Sequence, residues 1–218
     1  MAKPGKKDIA AAVLERHGET HAAELGIRVE KGTPSPLFEL LCASLLFSAR
    51  IDAAIATQAA RELRRRGWRT AHKLADSTWE QRVEALNDAG YTRSQERTAT
   101  MLGETARVLL ERYRGDLRRL REEAGHDPGN ERKLLKQFKG LGDVGVDIFF
   151  REVQVAWEEV GPFADRRALE AADRLGLGKD ERALERRVSN REEFARLVAA
   201  LVRTELADDY DAVRSAAG

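Results

Sequence analysis

The sequence contains very little cysteine: Cys42 is the only thiol among its 218 residues. A single cysteine excludes an internal disulfide and any metal cluster that needs several thiolate ligands. Cys42 lies in the apolar segment LLCASLL, where a lone cysteine is most often a small buried hydrophobic side chain. The function therefore has to be sought in other residue types.

Long hydrophobic runs are also missing. The longest one, residues 40–46, is far shorter than the roughly 20 apolar residues of a membrane-spanning helix. The first residues, MAKPGKKDIAAAVLERHGE, are charged and then amphipathic, without the apolar core of an export signal. We therefore expect a cytoplasmic protein with no membrane partner.

Charge of one sign is not in excess. The sequence has 38 basic and 37 acidic residues, a net charge of +1, so binding to nucleic acid would require a local basic patch. RELRRRGWR, residues 61–69, is the densest basic segment. It is either such a patch or the solvated face and last turn of a helix.

Helical periodicity recurs along the chain, and no stretch alternates like a half-buried strand, so the sequence predicts an all-α fold. SPLFELLCASLLF is apolar on nearly every side and should run through the core, with Ser35 as N-cap and Pro36 at its first position. STWEQRVEALNDAG predicts a helix with a capping box between Ser77 and Glu80 and a stop at Gly90.

Three glycines interrupt this helical pattern in KQFKGLGDVGVD, residues 136–147. Glycine in a helix interior costs about 0.5–1 kcal/mol relative to alanine, so their spacing indicates a turn between two helices. We call residues 131–153 the glycine hairpin. Gly140 and Gly142 would let a phosphate approach the free amides of the second helix, and Lys139 would add positive charge. The alternative is a glycine cap between packed helices, with no ligand.

Other ligand sites have less support. A P-loop is excluded because the sequence has no G-K-[ST] and no preceding strand, and a dinucleotide site fails for lack of a strand. His17 and His21 have a spacing that suits a metal ion, but no third ligand is evident. We expect no metal site and two solvated histidines.

Four segments resemble the endonuclease III superfamily of DNA glycosylases, in the order of that family. They are LFELLCASLLFSARID, AGYTRSQERTATML, FKGLGDVGVDIFF and ADRRALEAADRLGL, which together cover most of residues 36–177. The resemblance implies an all-α, two-lobed fold with a helix-hairpin-helix motif. One lobe would comprise residues 30–153, and the other residues 1–29 with 154–218.

The resemblance also implies a partner, namely double-stranded DNA with a damaged base that is flipped into the cleft between the lobes. The protein would act as a monomer associated with the nucleoid. Many members carry a four-cysteine iron–sulfur cluster, which a chain with only Cys42 does not hold. A cation at the backbone carbonyls of the hairpin is the one bound ion left open.

Several DNA contacts follow from the resemblance, residue by residue. Arg50 falls where family members insert a side chain into the vacated base stack, and Tyr91 falls on the loop that wedges the opposite strand. Without the resemblance, Arg50 is an ordinary helix-end charge and Tyr91 an ordinary packing aromatic. The remaining predicted contacts to DNA are Arg93, Lys139, Gly140, Leu141, Gly142, Val144, Gly145 and Arg166.

Asp165 matches the catalytic aspartate of the family. A carboxylate can stabilise the positive charge that develops on the sugar when the base departs, and it can orient water. Asp165 is equally placed to be a simple N-cap for the helix that follows, and the two roles are compatible. Arg166 and Arg167 would bind DNA phosphates or pair with Asp165; the sequence leaves both open.

Members that also cut the strand use a lysine two residues after the second hairpin glycine. Val144 occupies that position, and Lys136 and Lys139 lie on the wrong side of the turn. The resemblance therefore implies a monofunctional glycosylase that uses water. The spacing from Val144 to Asp165 is longer than in the family pattern, and the usual Val-Asp-Thr-His is Ala-Asp-Arg-Arg.

Two other functions stay open at this point. The chain could be a DNA-binding protein that kept the hairpin and lost efficient catalysis, or an all-α protein-interaction module. The substrate base is not fixed by the sequence. Uracil, alkylated purines, oxidised bases and mismatched adenine are all candidates, with analogy favouring alkylated bases.

Overall fold

The structure, a computed structural model, describes residues 4–218, and these residues form helices and no strand. The all-α prediction is confirmed. The α-helices are α1 Lys6–His17, α2 His21–Leu25, α3 Pro34–Phe47, α4 Ala53–Arg65, α5 Ala71–Ala75, α6 Trp79–Asp88, α7 Gln95–Tyr113, α8 Leu117–Glu123, α9 Pro128–Leu135, α10 Asp143–Val153, α11 Arg166–Arg174, α12 Glu181–Glu185, α13 Arg191–Ala207 and α14 Tyr210–Ala216. Short 3₁₀ turns occupy Val29–Lys31 and Glu158–Val160.

The start of α3 differs from the prediction. Its N-cap is Thr33 and its first residue is Pro34, so Ser35 and Pro36 both lie inside the first turn. Proline is tolerated there because the first amides of a helix have no intrahelical acceptor. The hydroxyl of Ser35 donates instead to the backbone carbonyl of Arg69, at 2.8 Å.

The capping box of α6 lies one residue later than predicted. Thr78, not Ser77, is the N-cap, and its hydroxyl accepts a hydrogen bond from the Gln81 amide at 3.2 Å. The Gln81 side chain accepts in return from the Thr78 amide at 2.9 Å. The segment STWEQ satisfies the capping pattern in both registers. The Ser77 hydroxyl instead donates to the Leu74 carbonyl at 2.6 Å and accepts from the Arg82 guanidinium at 3.1 Å.

The chain forms two compact units. The hairpin unit comprises Leu25–Phe149, and the terminal unit comprises the chain up to Glu24 together with Phe150–Gly218. The boundary falls inside α10, a few residues before the predicted one at residue 153. Each unit has its own buried apolar core.

The core of the hairpin unit is built around α3, which is buried along most of its length, as its apolar sequence predicts. In the terminal unit, α13 packs against α1 and α11, and the apolar faces of these helices form the core. Within residues 4–218, every helix is too short or too polar to cross a membrane.

Candidate functional site

The glycine hairpin contains the part of helix α9 from residue 131 onward, a turn and helix α10. The turn is closed by the Leu141 amide, which donates to the Phe138 carbonyl at 3.0 Å, and Leu141 buries its side chain. The first intrahelical bond of α10 runs from the Val146 amide to the Gly142 carbonyl at 3.0 Å. The three preceding amides, of residues 143–145, have no acceptor within the described part of the chain.

The three glycines of the hairpin have different surroundings. Gly140 has a φ of +90°, and a Cβ there would collide with the Met101 sulfur. A Cβ at Gly145 would lie 2.7 Å from Leu141 Cδ1. A Cβ at Gly142 would meet no described atom within 4 Å, and Gly142 is exposed. Packing therefore explains Gly140 and Gly145 but does not explain Gly142.

Gly142 precedes the first residue of α10, where Ser, Asp or Asn would cap the helix better than Gly. A capping side chain would occupy one of the free amides. Glycine leaves these amides uncovered at the positive end of an 11-residue helix. The backbone of the turn is thus uncovered at Gly142, whereas Gly140, which was predicted to play the same role, is required by its packing against Met101.

The charges around this turn are largely paired. The Lys136 ammonium lies 2.8 Å from Asp143 Oδ1, and Lys139 Nζ lies 3.1 Å from Glu104 Oε2. The hydrogen bond from Lys136 lowers the pKa of Asp143, so a negative charge persists at the start of α10. Solvent weakens both pairs because the lysine side chains are largely exposed, so Lys139 can release Glu104 and reach a phosphate beside the turn.

Two other segments of the hairpin unit adjoin the turn. The loop that carries Arg50 follows Ser48, whose Cβ would lie 3.4 Å from a Cβ at Gly145. Helix α7 contributes Met101 beside Gly140. The structure therefore brings the Arg50 loop and α7 to the glycine hairpin, and Arg50 is exposed.

Arg97 is an exposed basic side chain near the hairpin that the sequence pattern did not single out. It is exposed on α7, one turn before Met101, and Arg93 is exposed just ahead of the same helix. Neither arginine forms an ion pair within residues 4–218. The signal for Arg97 would have been its i, i+4 spacing to Met101, but the contact between Met101 and Gly140 is not visible in the sequence.

The prediction that Tyr91 wedges into DNA does not fit its position. Tyr91 is 1% exposed, and Thr98 donates a hydrogen bond to its hydroxyl at 3.3 Å. The side chain packs inside the hairpin unit, so the ordinary packing role describes it. Only the exposed neighbours on this loop, such as Arg93, present side chains to solvent.

The arginine-rich segment 61–69 is not a free basic patch. Arg66 contacts Glu62, Glu84 and Asp88 at 2.7–2.9 Å. Arg64 pairs with the buried Glu39. Carboxylates thus neutralise the positive charge of this helix end, which favours the solvated-face interpretation.

Asp165 lies in the terminal unit, at the N-cap of α11. Its Oδ1 accepts hydrogen bonds from the amides of Arg167, at 2.9 Å, and Ala168, at 3.2 Å. Its Oδ2 lies 2.6 Å from Arg151 Nε, in ion-pair contact, although the N–H is not aligned for a hydrogen bond. The predicted cap is therefore present: one carboxylate oxygen accepts from backbone amides, and the other contacts a guanidinium.

The pairing partner of Asp165 is neither Arg166 nor Arg167. The side chain of Arg166 is 91% exposed and lies 3.7 Å from Glu170, and Arg167 is also exposed. Arg151, from the last turns of α10, makes the contact instead. Arg166 and Arg167 point to solvent, where a phosphate could meet them.

The segment that leads to Asp165 is held in place by Gln154. Its side-chain amide donates to the Phe163 carbonyl at 3.1 Å, and its carbonyl accepts from the Phe163 amide at 2.9 Å. The Phe163 ring meets Phe150 edge to face, with centroids 5.5 Å apart. Gln154 is completely buried. These contacts fix the backbone before Asp165.

A buried group of charged residues lies in the same unit. The Glu152 carboxylate accepts from the amides of His21, at 2.7 Å, and Ala22, at 2.6 Å, and burial raises its pKa. Burial, then Arg203 and Arg151, lower the pKa of His21 to about 3. His21 is therefore a neutral, half-buried side chain, contrary to the prediction that it is solvated.

We expect His21 to destabilise the protein in acid. Between pH 6.5, the ordinary pKa of histidine, and about pH 3, His21 is protonated in the unfolded chain and neutral in the folded chain. Stability therefore falls as the pH drops, by about 2 kcal/mol at pH 5 from this group. Urea unfolding of wild type and His21→Gln at pH 7 and pH 5 measures the difference.

The exposed His72 supplies the control for this comparison, because His72→Gln should keep the pH dependence of wild type. Glu152, whose raised pKa acts in the opposite direction, is present in every variant and cancels from the difference. If wild type and His21→Gln lost the same unfolding free energy between pH 7 and pH 5, the lowered pKa of His21 would not be the cause of the acid sensitivity.

Within residues 4–218, no group of three or more His, Cys, Asp or Glu side chains could hold a metal ion. His17, the other member of the predicted pair, has its Nε2 at 2.8 Å from Asp209 Oδ2. His17 is therefore half-buried and partnered rather than solvated.

The chain is similar in structure to a solved complex described as a trapped endonuclease III–DNA covalent intermediate with an estranged adenine. The TM-score is 0.50 at 20% sequence identity, and the match covers 77% of this chain and 73% of that chain. No protein-family model and no curated protein matches the sequence. The likeness establishes an endonuclease III-like fold.

Proposed function

We propose that this protein is a monofunctional DNA glycosylase that acts on a damaged or mismatched base in duplex DNA. The observation that carries the proposal is Asp165, a buried carboxylate held from three sides on an endonuclease III-like fold. The complex that this fold resembles contains endonuclease III bound covalently to DNA.

Binding would begin with a phosphate at the free amides of α10. Gly142 supports this role because no packing contact requires a glycine there. Arg50, Arg93 and Arg97 are exposed cations on segments around the hairpin, and Lys139 would join them after releasing Glu104. Phosphate contacts position the protein on the duplex without reading its sequence.

The reaction would be hydrolysis of the bond between the sugar and a flipped base. As that bond breaks, its electron pair leaves with the base and positive charge develops on the sugar. The Asp165 carboxylate would stabilise this charge in surroundings of low dielectric. Water then adds to the sugar carbon, and its proton is released, so that the base and an abasic site are the products.

The absence of strand cleavage in this proposal rests on Val144. Its side chain is apolar and 61% exposed, at the position where the family's lysine would form a Schiff base. The nearby amines of Lys136 and Lys139 both lie in ion pairs with carboxylates. Val144 itself carries no nucleophile, so water is the proposed attacking group.

The second candidate is a DNA-binding protein without efficient catalysis, and the contact between Arg151 and Asp165 favours it. A guanidinium 2.6 Å from the carboxylate offsets part of its negative charge. The hairpin would still bind duplex DNA in that case. A measurement of base removal therefore distinguishes the two candidate functions, while a measurement of DNA binding does not.

The deciding assay uses duplexes that each carry one candidate base: uracil, an alkylated purine, an oxidised base or a mismatched adenine. We expect strand breaks at one of these bases only after hot alkali, because alkali cleaves the abasic product. Borohydride should trap no covalent protein–DNA complex. Breaks without alkali would contradict the role of Val144, and binding without any product would favour the second candidate.

A further inference from the structure

Arg151 lies where it can control the proposed catalytic carboxylate. Its side chain is 10% exposed and that of Asp165 is 7% exposed, so water screens their contact poorly. The guanidinium reaches Oδ2, the one carboxylate oxygen that the capping amides of α11 do not use. No other side chain of the described residues pairs with Asp165.

We infer that Arg151 is a positioning residue that fixes the orientation of the Asp165 carboxylate for base removal. This inference rests on the proposed glycosylase activity. Two backbone amides donate to Oδ1 and the guanidinium lies in ion-pair contact with Oδ2, so rotation of the carboxylate about its last bond would break these contacts. Asp165 would act as a fixed negative charge, and not as a group that turns to exchange protons with water.

The backbone supports the same geometry. Gln154 donates to the carbonyl of Arg151 at 2.8 Å and to the carbonyl of Phe163 at 3.1 Å. One buried amide therefore joins the segment that carries Arg151 to the segment that ends at Asp165. A preorganised charge needs no rearrangement during the reaction, which is the condition for efficient electrostatic stabilisation.

The test compares single-turnover rates of base removal, duplex dissociation constants and melting temperatures. In Arg151→Met, we expect the rate to fall about 10- to 100-fold with the dissociation constant unchanged, since Arg151 is buried. Arg151→Lys should recover part of the rate because the charge is kept while the planar guanidinium is lost. Arg151→Met should cause no further loss in an Asp165→Asn background.

Arg203→Met is the matched control, because it removes another ion pair of the terminal unit, to Glu24 at 2.9 Å. It should lower the melting temperature without slowing base removal. Equal slowing by Arg151→Met and Arg203→Met would overturn the inference, as would an Arg151→Met enzyme that is as fast as wild type or faster.

Failure of the proposed function itself has a different signature. A wild-type protein that binds duplex DNA but releases no base refutes the glycosylase activity and, with it, the positioning role. A double-mutant cycle on unfolding then still measures whether Arg151 and Asp165 interact. Coupling in that cycle would assign the pair to stability alone.

Discussion

Asp165→Asn should abolish most base removal while leaving duplex binding intact. The asparagine oxygen can still accept hydrogen bonds from the amides of Arg167 and Ala168, so α11 stays capped. The negative charge that would stabilise the sugar cation is lost. Removing one such stabilising group costs about 100- to 1,000-fold in rate. Single-turnover base removal measures the rate, and titration of the same duplex measures binding.

Stability has to be followed in this variant because Asp165 is also part of a buried ion pair. Removing one partner leaves the Arg151 charge uncompensated, which typically costs about 3–5 kcal/mol. The double variant Asp165→Asn with Arg151→Met removes the unpaired charge and should recover stability without recovering activity. That combination separates loss of chemistry from loss of fold.

Asp180→Asn is the matched control. Asp180 caps α12 in the same unit, with its Oδ1 accepting from the Ala183 amide at 2.8 Å, and no cation pairs with it within residues 4–218. The same chemical change there should leave base removal unaltered. Full activity of Asp165→Asn on the substrate of wild type would remove Asp165 from the mechanism.

The features that the sequence predicted correctly are local ones. The all-α fold follows from periodicity, and the cap at Asp165 follows from an aspartate placed directly before an amphipathic helix. The unobstructed turn at Gly142 follows from the glycine spacing. Each of these signals lies within a few neighbouring residues, where backbone geometry decides the outcome.

The features that the sequence did not predict depend on packing between distant segments. Tyr91 is buried because α7 supplies Thr98 to its hydroxyl. The partner of Asp165 comes from α10, so the adjacent Arg166 and Arg167 were the wrong candidates. The number of arginines in segment 61–69 suggests more positive charge than the surface carries, because carboxylates from other helices pair with these arginines. Ion pairs between segments that are distant in the sequence can be identified only when the fold is known.

Gly142→Phe should weaken duplex binding at least about 10-fold without disturbing the fold. A Cβ at position 142 would meet no described atom within 4 Å, and residue 142 is exposed, so a side chain there can extend into solvent. The ring would stand beside the first amides of α10 and keep a phosphate away from them.

Gly129→Phe provides the matched comparison for this variant. Gly129 is exposed in the first turn of α9, in the same hairpin unit, and lies away from the turn between α9 and α10. A Cβ at position 129 would lie 3.1 Å from Oδ1 of the capping Asp127, so Gly129→Phe should lose some stability while it binds duplex DNA as wild type does, and Gly142→Phe should keep the wild-type melting temperature within a few degrees. Because no packing contact requires a glycine at position 142, weaker binding by Gly142→Phe alone would show that the open backbone there binds the DNA. Equal binding by all three proteins would mean that the hairpin does not hold phosphate, and the all-α interaction module would then become the better description.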